Sequence, residues 1–212
     1  MERKPIEDNP SSGRPPLAMV VCGALAREVH QIAERRHWQV DIHGVPAEHH
    51  LYPDRIVQAV EDKLIDLDGM YERVVVVYGD CGTAGALDRV LARHKAVRPA
   101  GPHCYAMLAG CFTERLAEQI PETYFLTDYL VRRWEETVLK GLGLDERPEL
   151  REMCFAGFKR LIFLRQTQSP ELEVKAAEIA EFMKLPLEVW DVGLAGLEAR
   201  LEGLVEGGAH AG

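Results

Sequence analysis

Hydrophobic positions along this chain change period many times, and the changes mark out strands and helices in alternation. Residues 17–21 are a short apolar run that ends at Cys22 and Gly23. Residues 24–36 then place Leu25, Val29, Ile32 and Ala33 at helical spacing. Residues 40–45 alternate apolar and polar side chains, as a half-buried strand does. A histidine-rich loop at 46–52 precedes Pro53, which suits the first turn of a helix with Ile56, Val60, Leu64 and Leu67 as its buried stripe. The strongest segment is Val74-Val75-Val76-Val77-Tyr78-Gly79-Asp80-Cys81-Gly82-Thr83-Ala84-Gly85. Four consecutive valines predict a strand buried on both faces. Gly79 and Gly82 break it, and residues 84–94 resume at helical spacing.

The second part of the chain repeats the alternation. Two prolines and a glycine exclude a helix over 97–102. Residues 106–120 read as helical, broken near Gly110. Residues 123–126 predict a strand, and Thr127 or Asp128 can cap a helix running to about Leu139, where Gly141 and Gly143 stop it. A short helix at 149–153, a strand at 161–164, a helix at 170–183, a strand at 187–192 and a helix at 194–205 complete the pattern. Strands alternating with helices predict an α/β fold, Rossmann-like: a mainly parallel sheet built from βαβ units with helices on both faces. The unit recurs loosely at Leu17, Val74 and Leu161, which suggests a pseudo-repeat. Residues 1–16 read as a disordered N-terminal tail, 17–205 as a single α/β domain, and 206–212 as a frayed C-terminal tail.

Charge narrows the function classes. A formal net charge of −9 over 212 residues argues against nucleic acid as a partner. No apolar run approaches the roughly 20 residues needed to cross a bilayer, and the first residues lack a hydrophobic signal core. A cytoplasmic location follows as the expectation. The five cysteines are then expected to be thiols or metal ligands rather than disulfides.

Two cysteines, Cys22 and Cys81, end buried strands and precede helices. If those strands are neighbours, the two sulfurs share the rim where open parallel sheets bind ligands. Cys104 follows a proline-bounded loop that can return to the same rim. Thiolates suit zinc, copper(I) and iron–sulfur clusters, and three cysteines leave a fourth position open, as catalytic metals require. His103 is a lesser ligand candidate, since adjacent residues rarely bind one ion together. The plain alternative is that these cysteines are small core hydrophobes. Cys154 fits that description, and Cys111 stands between the two. None of the five forms a CxxC pair.

Other candidates surround this set. Asp80 can act as an acid or base beside a dry metal site, or cap the next helix. Gly79 and Gly82 resemble a phosphate-cradling turn, without a GxGxxG or P-loop pattern. Arg165 ends a strand on the presumed ligand rim and can bind an anionic cofactor group, or pair with a surface acid. His49 and His50 can ligate a metal or shuttle protons, or lie on a solvated loop. Tyr105, Tyr124, Tyr129 and Trp134 read as packing aromatics.

Four motifs, Cys22-Gly23-Ala24-Leu25-Ala26, Tyr78-Gly79-Asp80-Cys81-Gly82, Pro102-His103-Cys104-Tyr105 and Phe125-Leu126-Thr127-Asp128-Tyr129, together resemble the domain of unknown function 1638 family. The similarity runs from about Leu17 to Val205. It implies Cys22, Cys81 and Cys104, with His103, as the functional set, and Cys111 less clearly. It also implies a setting in one-carbon or cobalamin metabolism, with corrinoid methyltransferase components or a small molecule as partners. The expectation is therefore a cysteine-ligated metal protein, holding zinc, iron or a [4Fe-4S] cluster, that acts as a metal-dependent enzyme of methyl transfer. A non-enzymatic metal or cofactor handler and an iron–sulfur protein are the alternatives.

Overall fold

The computed structural model describes residues 17–112, 114 and 122–206. The tails expected at 1–16 and 207–212, the side chain of Cys111 and most of the helix expected beyond Gly110 lie outside the described residues.

The fold is α/β and Rossmann-like, but its strands fall into two three-stranded parallel sheets rather than one. In the first half, β1 (Leu17–Cys22) is followed by α1 (Ala26–Arg35), β2 (Asp41–Val45), α2 (Pro53–Asp66), β3 (Arg73–Val77) and α3 (Ala86–His94). The loop expected at 46–52 contains a 3-10 turn, Ala47–Leu51. A six-residue helix, α4 (Cys104–Ala109), then leads toward the second half. There β4 (Thr123–Thr127), α5 (Asp128–Arg132), α6 (Arg151–Phe155), β5 (Arg160–Arg165), α7 (Pro170–Met183), β6 (Leu187–Asp191) and α8 (Ala195–Val205) follow.

Strand order differs between the halves. The first sheet runs β2-β1-β3 and the second β4-β5-β6. In the first, the chain leaves β1 to one side for β2 and returns to the other side for β3. That reversal opens a crevice at the carboxyl ends of β1 and β3. The register pairs Val21 with Val77, so Cys22 and Tyr78 stand level at that end. The second sheet has no such reversal.

All six β1 residues are buried, because this strand is central and covered on both faces. In the second sheet β5 is central, and its side chains alternate with period two. Leu161 and Phe163 pack with Ala176 and Ile179 of α7. Ile162 and Leu164 face the other way and pack with Ala106 and Ala109 of α4. On its first-half side α4 buries Cys104, Met107 and Leu108, so this short helix is shared by both cores.

The last helix crosses back. Leu197 and Leu201 of α8 are fully buried in the core of the first half. Arg35 and Arg36 of α1 pair with Glu198 and Glu202 at its surface. Exposed pairs of this kind contribute at most about 1 kcal/mol. Burying each leucine contributes roughly 1.5–3 kcal/mol, so the apolar contacts dominate the docking. The crossing is close at Gly110 and Gly196. A β-carbon on Gly196 would lie 2.6 Å from the Gly110 Cα. Gly196→Ala is therefore expected to lower stability by roughly 1–3 kcal/mol, read as a shift of the urea midpoint with an unchanged slope.

One predicted helix takes a different form. Thr127 caps α5 by accepting from the Leu130 N–H at 3.3 Å. The α-helix ends at Arg132, and residues Glu135–Lys140 form a π-helical turn. Gly141 closes that turn against the Thr137 carbonyl, where no side chain fits. Such wide turns concentrate at functional sites.

Candidate functional site

The crevice between β1 and β3 gathers three sulfurs. Cys22 is the last residue of β1, Cys81 lies in the turn after β3, and Cys104 opens α4. Their residues are 2%, 5% and 8% exposed. The Cys81 and Cys104 Sγ atoms are 3.7 Å apart. Cys104 also faces Cys22, and the imidazole of His50, on the 3-10 turn after β2, faces Cys81. Cys154 lies elsewhere, packed at the edge of the second core.

Two local devices build this corner. The first is Gly79. A β-carbon there would sit 2.7 Å from the carbonyl carbon of His103 and 3.0 Å from the Cys104 nitrogen. Only a residue without a side chain lets the start of α4 press onto the end of β3. The second is the turn itself. Its backbone is tied to the next loop by Asp80 N–H to Gly101 O at 3.0 Å and Cys81 N–H to Pro102 O at 2.9 Å. Cys81 and Ala84 take left-handed backbone angles, with φ of 48° and 50°. Non-glycine residues adopt these rarely and at a cost, and they cluster at working sites.

The sulfurs differ in charge state. A hydrogen bond from the Cys104 thiol, helped by His50, pulls the Cys81 thiol down to about 5 against the opposing effect of burial. Cys22 is also lowered, chiefly by Cys104. Cys104 moves the other way, because it donates to Cys22 and Cys81 and is fully buried. The His50 imidazole is raised, chiefly by its hydrogen bond to Cys81. At neutral pH the corner thus holds a Cys81 thiolate, with Cys104 as a protonated donor. His50 itself is exposed, so water screens its charge. Tyr78 is buried against Cys22; its Oη has no partner of good hydrogen-bond geometry. Burial, then the charge of Cys22, pushes its phenol far up.

A cleft of about 270 Å³ opens beside the corner, walled by both halves. Cys22, Cys104, Glu48 and His50 line one side. Tyr124, Thr127, Tyr129 and residues of the π-helical turn, Thr137 and Val138, line the other. Most of the remaining lining is aliphatic. Cys81 is not part of it and lies behind Cys104 and His50.

The other sequence candidates have structural partners of their own. His103 caps α4 through its backbone, and its ring faces Tyr105 at 6.2 Å. His50, which the sequence offers as a metal ligand, a proton shuttle or a solvated loop residue, is the histidine at the sulfurs. The Asp80 carboxylate accepts from Gly85 N–H at 3.0 Å, Ala84 N–H at 3.2 Å and the Thr83 hydroxyl at 2.9 Å. Those bonds, the Gly85 N–H first, hold it below its ordinary value, opposite to what an acid catalyst needs. Asp80 is a turn-forming residue. Gly82, with φ of 84°, packs against Pro53, and Gly79 accommodates α4. Arg165 lies in the second half, paired with Glu173 and with Asp191 at 3.0 Å, and does not line the cleft.

The family model for Protein of unknown function (DUF1638) matches residues 45–201. The chain belongs to the DUF1638 family. The matched span includes His50, Cys81, Cys104 and both aromatic walls of the cleft; β1 with Cys22 precedes it. No curated protein and no solved structure matches the chain. Among the described residues of this DUF1638 protein, no three or more His, Cys, Asp or Glu side chains are already arranged to hold a metal ion. No helix is long and apolar enough to cross a membrane.

Two outcomes test this geometry. In Cys81→Gly the left-handed turn is relaxed, so it should be more stable than Cys81→Ala by about 1 kcal/mol in urea unfolding. Ultraviolet thiolate absorbance should rise in metal-free protein with a midpoint near pH 5. Removing an imidazole that stabilises the thiolate raises the thiol pKa, so His50→Ala should shift that midpoint upward. The step should vanish in Cys81→Ser.

Proposed function

We propose that this protein is a metal-dependent enzyme whose ion is bound by the sulfurs of Cys22, Cys81 and Cys104 and faces the adjoining cleft. The observation that carries the reading is the 3.7 Å separation of the Cys81 and Cys104 sulfurs. Two thiolates on one tetrahedral zinc, each about 2.3 Å from the metal, stand about 3.8 Å apart. The donor chemistry also fits: three soft thiols, one already a thiolate, at a strand-end crevice. Cys22 completes the set by turning its side chain toward the pair. His50 completes a tetrahedral shell or leaves that position to substrate.

This spacing favours a single ion over a four-iron cluster, in which each cysteine binds its own iron. A bound ion of this kind would lower the pKa of a thiol or water beside it. The chain's own residues supply the rest. The aliphatic and aromatic walls exclude water, which strengthens electrostatic interactions inside. His50, exposed at the rim, can take a proton from a group in the cleft and pass it to solvent. Thr127 and Thr137 offer hydroxyls that orient a bound molecule. Methyl transfer linked to corrinoid partners is consistent with soft thiolate chemistry and rests on the family resemblance. A cytoplasmic setting fits thiols kept reduced.

A second reading has support of its own. The thiolate of Cys81 beside His50 matches the pairing that activates nucleophilic cysteines. Against it, Cys81 is 5% exposed and does not line the cleft.

Elemental analysis of protein purified without oxygen separates the two. The metal reading expects close to one equivalent of zinc or iron in the wild type. Cys22→Ser, Cys81→Ser and Cys104→Ser should each lose metal affinity by roughly 10–100-fold, while Cys154→Ser keeps it. A wild type below about a tenth of an equivalent under reducing conditions sinks the metal reading. Rapid alkylation of Cys81 in that metal-free protein supports the nucleophile instead.

A further inference from the structure

We infer that the cleft beside the sulfur corner binds a small organic cation, an alkylated ammonium or sulfonium group, in preference to an anion or a neutral molecule of the same shape. This deepens the proposed function by naming a ligand class. It depends on that reading only in taking the cleft as the working site, and no bound ion is needed for it.

The argument starts from charge. No Lys or Arg is among the described residues lining the cleft, and Glu48 supplies a carboxylate. The two basic residues that follow Tyr129 are already engaged: Arg132 pairs with Asp128 at 3.3 Å, and Arg133 with Glu136 at 3.6 Å. His50 also lines the cleft, but its imidazole is engaged with Cys81; a carboxylate or phosphate ligand would find no Lys or Arg and would meet Glu48, which costs binding.

Aromatic content points the same way. Tyr105, Tyr124 and Tyr129 all line the cleft. Their phenols are neutral at ordinary pH, so the faces of their rings carry negative character; Tyr105 also packs against Phe125, and Tyr124 against Phe155 and Phe158. Cations bound by tyrosine rings gain on the order of 0.5–2 kcal/mol per favourable contact as they are desolvated, and aromatic cages of this kind recognise quaternary ammonium groups. Rings and a carboxylate together suit a charge spread over alkyl groups.

Apolar content sets the remaining chemistry. Leu25, Leu108, Leu130, Val138 and Leu142 make up much of the wall. They solvate methyl or methylene groups but offer nothing to the N–H bonds of a primary ammonium. A volume of about 270 Å³ limits the ligand to a small molecule. The two halves contribute unlike parts. The first brings Glu48 and the sulfurs, and the second brings Tyr124 and Tyr129. Binding therefore draws on both sheets.

The test uses the full chain, treated with chelator and kept reduced, titrated by calorimetry with three probes. These are choline, dimethylbutanol as its uncharged carbon isostere, and butyrate as an anion. Choline should bind saturably and about tenfold tighter than the isostere, the scale of a desolvated cation–π contact. Butyrate should neither bind nor compete. Glu48→Gln and Tyr129→Leu, both at accessible positions, should weaken choline several-fold, while Tyr129→Phe keeps the ring and retains binding. Equal affinity for choline and dimethylbutanol overturns the inference, as does competition by butyrate. Absence of saturable choline binding overturns it as well. Choline binding in a wild type that never carries metal leaves this inference standing and removes the metal reading. A metal-loaded protein indifferent to choline does the reverse.

Discussion

The contact of Gly79 with the His103–Cys104 backbone is the constraint on which the site depends. Two chain segments meet there at a distance that leaves no space for a side chain. The meeting seats the first turn of α4 on the end of β3, and this puts one sulfur against another. It also fixes the direction of α4. That helix carries Met107 and Leu108 into one core and Ala106 and Ala109 into the other. A single missing β-carbon thus governs both the chemistry at the crevice and the way the halves join.

The two halves use the same architecture for different ends. At the crevice of the first sheet, strand order reverses between β1 and β3, and thiols occupy the opening. At the matching edge of the second sheet the order runs straight through, and the opening is filled by a hydrogen-bonded lock. Asp128, fully buried, accepts from the N–H groups of Gln166 and Thr167, at 3.0 and 3.1 Å, and the Gln166 side chain accepts in return from Asp128 N–H at 2.7 Å. A buried carboxylate satisfied by this many donors holds strands together. One half gathers the sulfurs and the other braces it, with Tyr124 and Tyr129 as its contribution to the cleft.

Much of this was legible in the residues. Four valines ending in Tyr78-Gly79-Asp80-Cys81 specify a buried strand and a turn, and Cys22-Gly23 after an apolar run specifies another. Parallel pairing of those strands is enough to suggest that their sulfurs share a rim. The split into two sheets was not legible, because hydrophobic period reports that a strand is buried and not which strand lies beside it. His103 drew attention through its neighbour Cys104, yet adjacency in sequence points consecutive side chains apart at the start of a helix. His50 reaches the sulfurs because β2 pairs with β1, a relation between segments that no local pattern encodes. Arg165 follows the same logic in reverse: its strand belongs to the other sheet. Asp80 reads equally as an acid or base and as a cap for the next helix, because the left-handed turn that sets its backbone partners has angles the sequence does not state. The wide turn at 135–140 reads as ordinary helix because its composition is helical.

The return of α8 to the first core has a consequence for how the protein is made. On the ribosome, domains tend to fold as units from the N-terminal end while synthesis continues. Here the sheet made from the earliest described residues lacks Leu197 and Leu201 until residues 195–205 have emerged. The sulfur-bearing half can gather its strands early, but the surface that Leu197 and Leu201 cover stays open until then. It is closed by residues 195–205, so the core around the sulfurs is completed only in a chain whose second half has already been made.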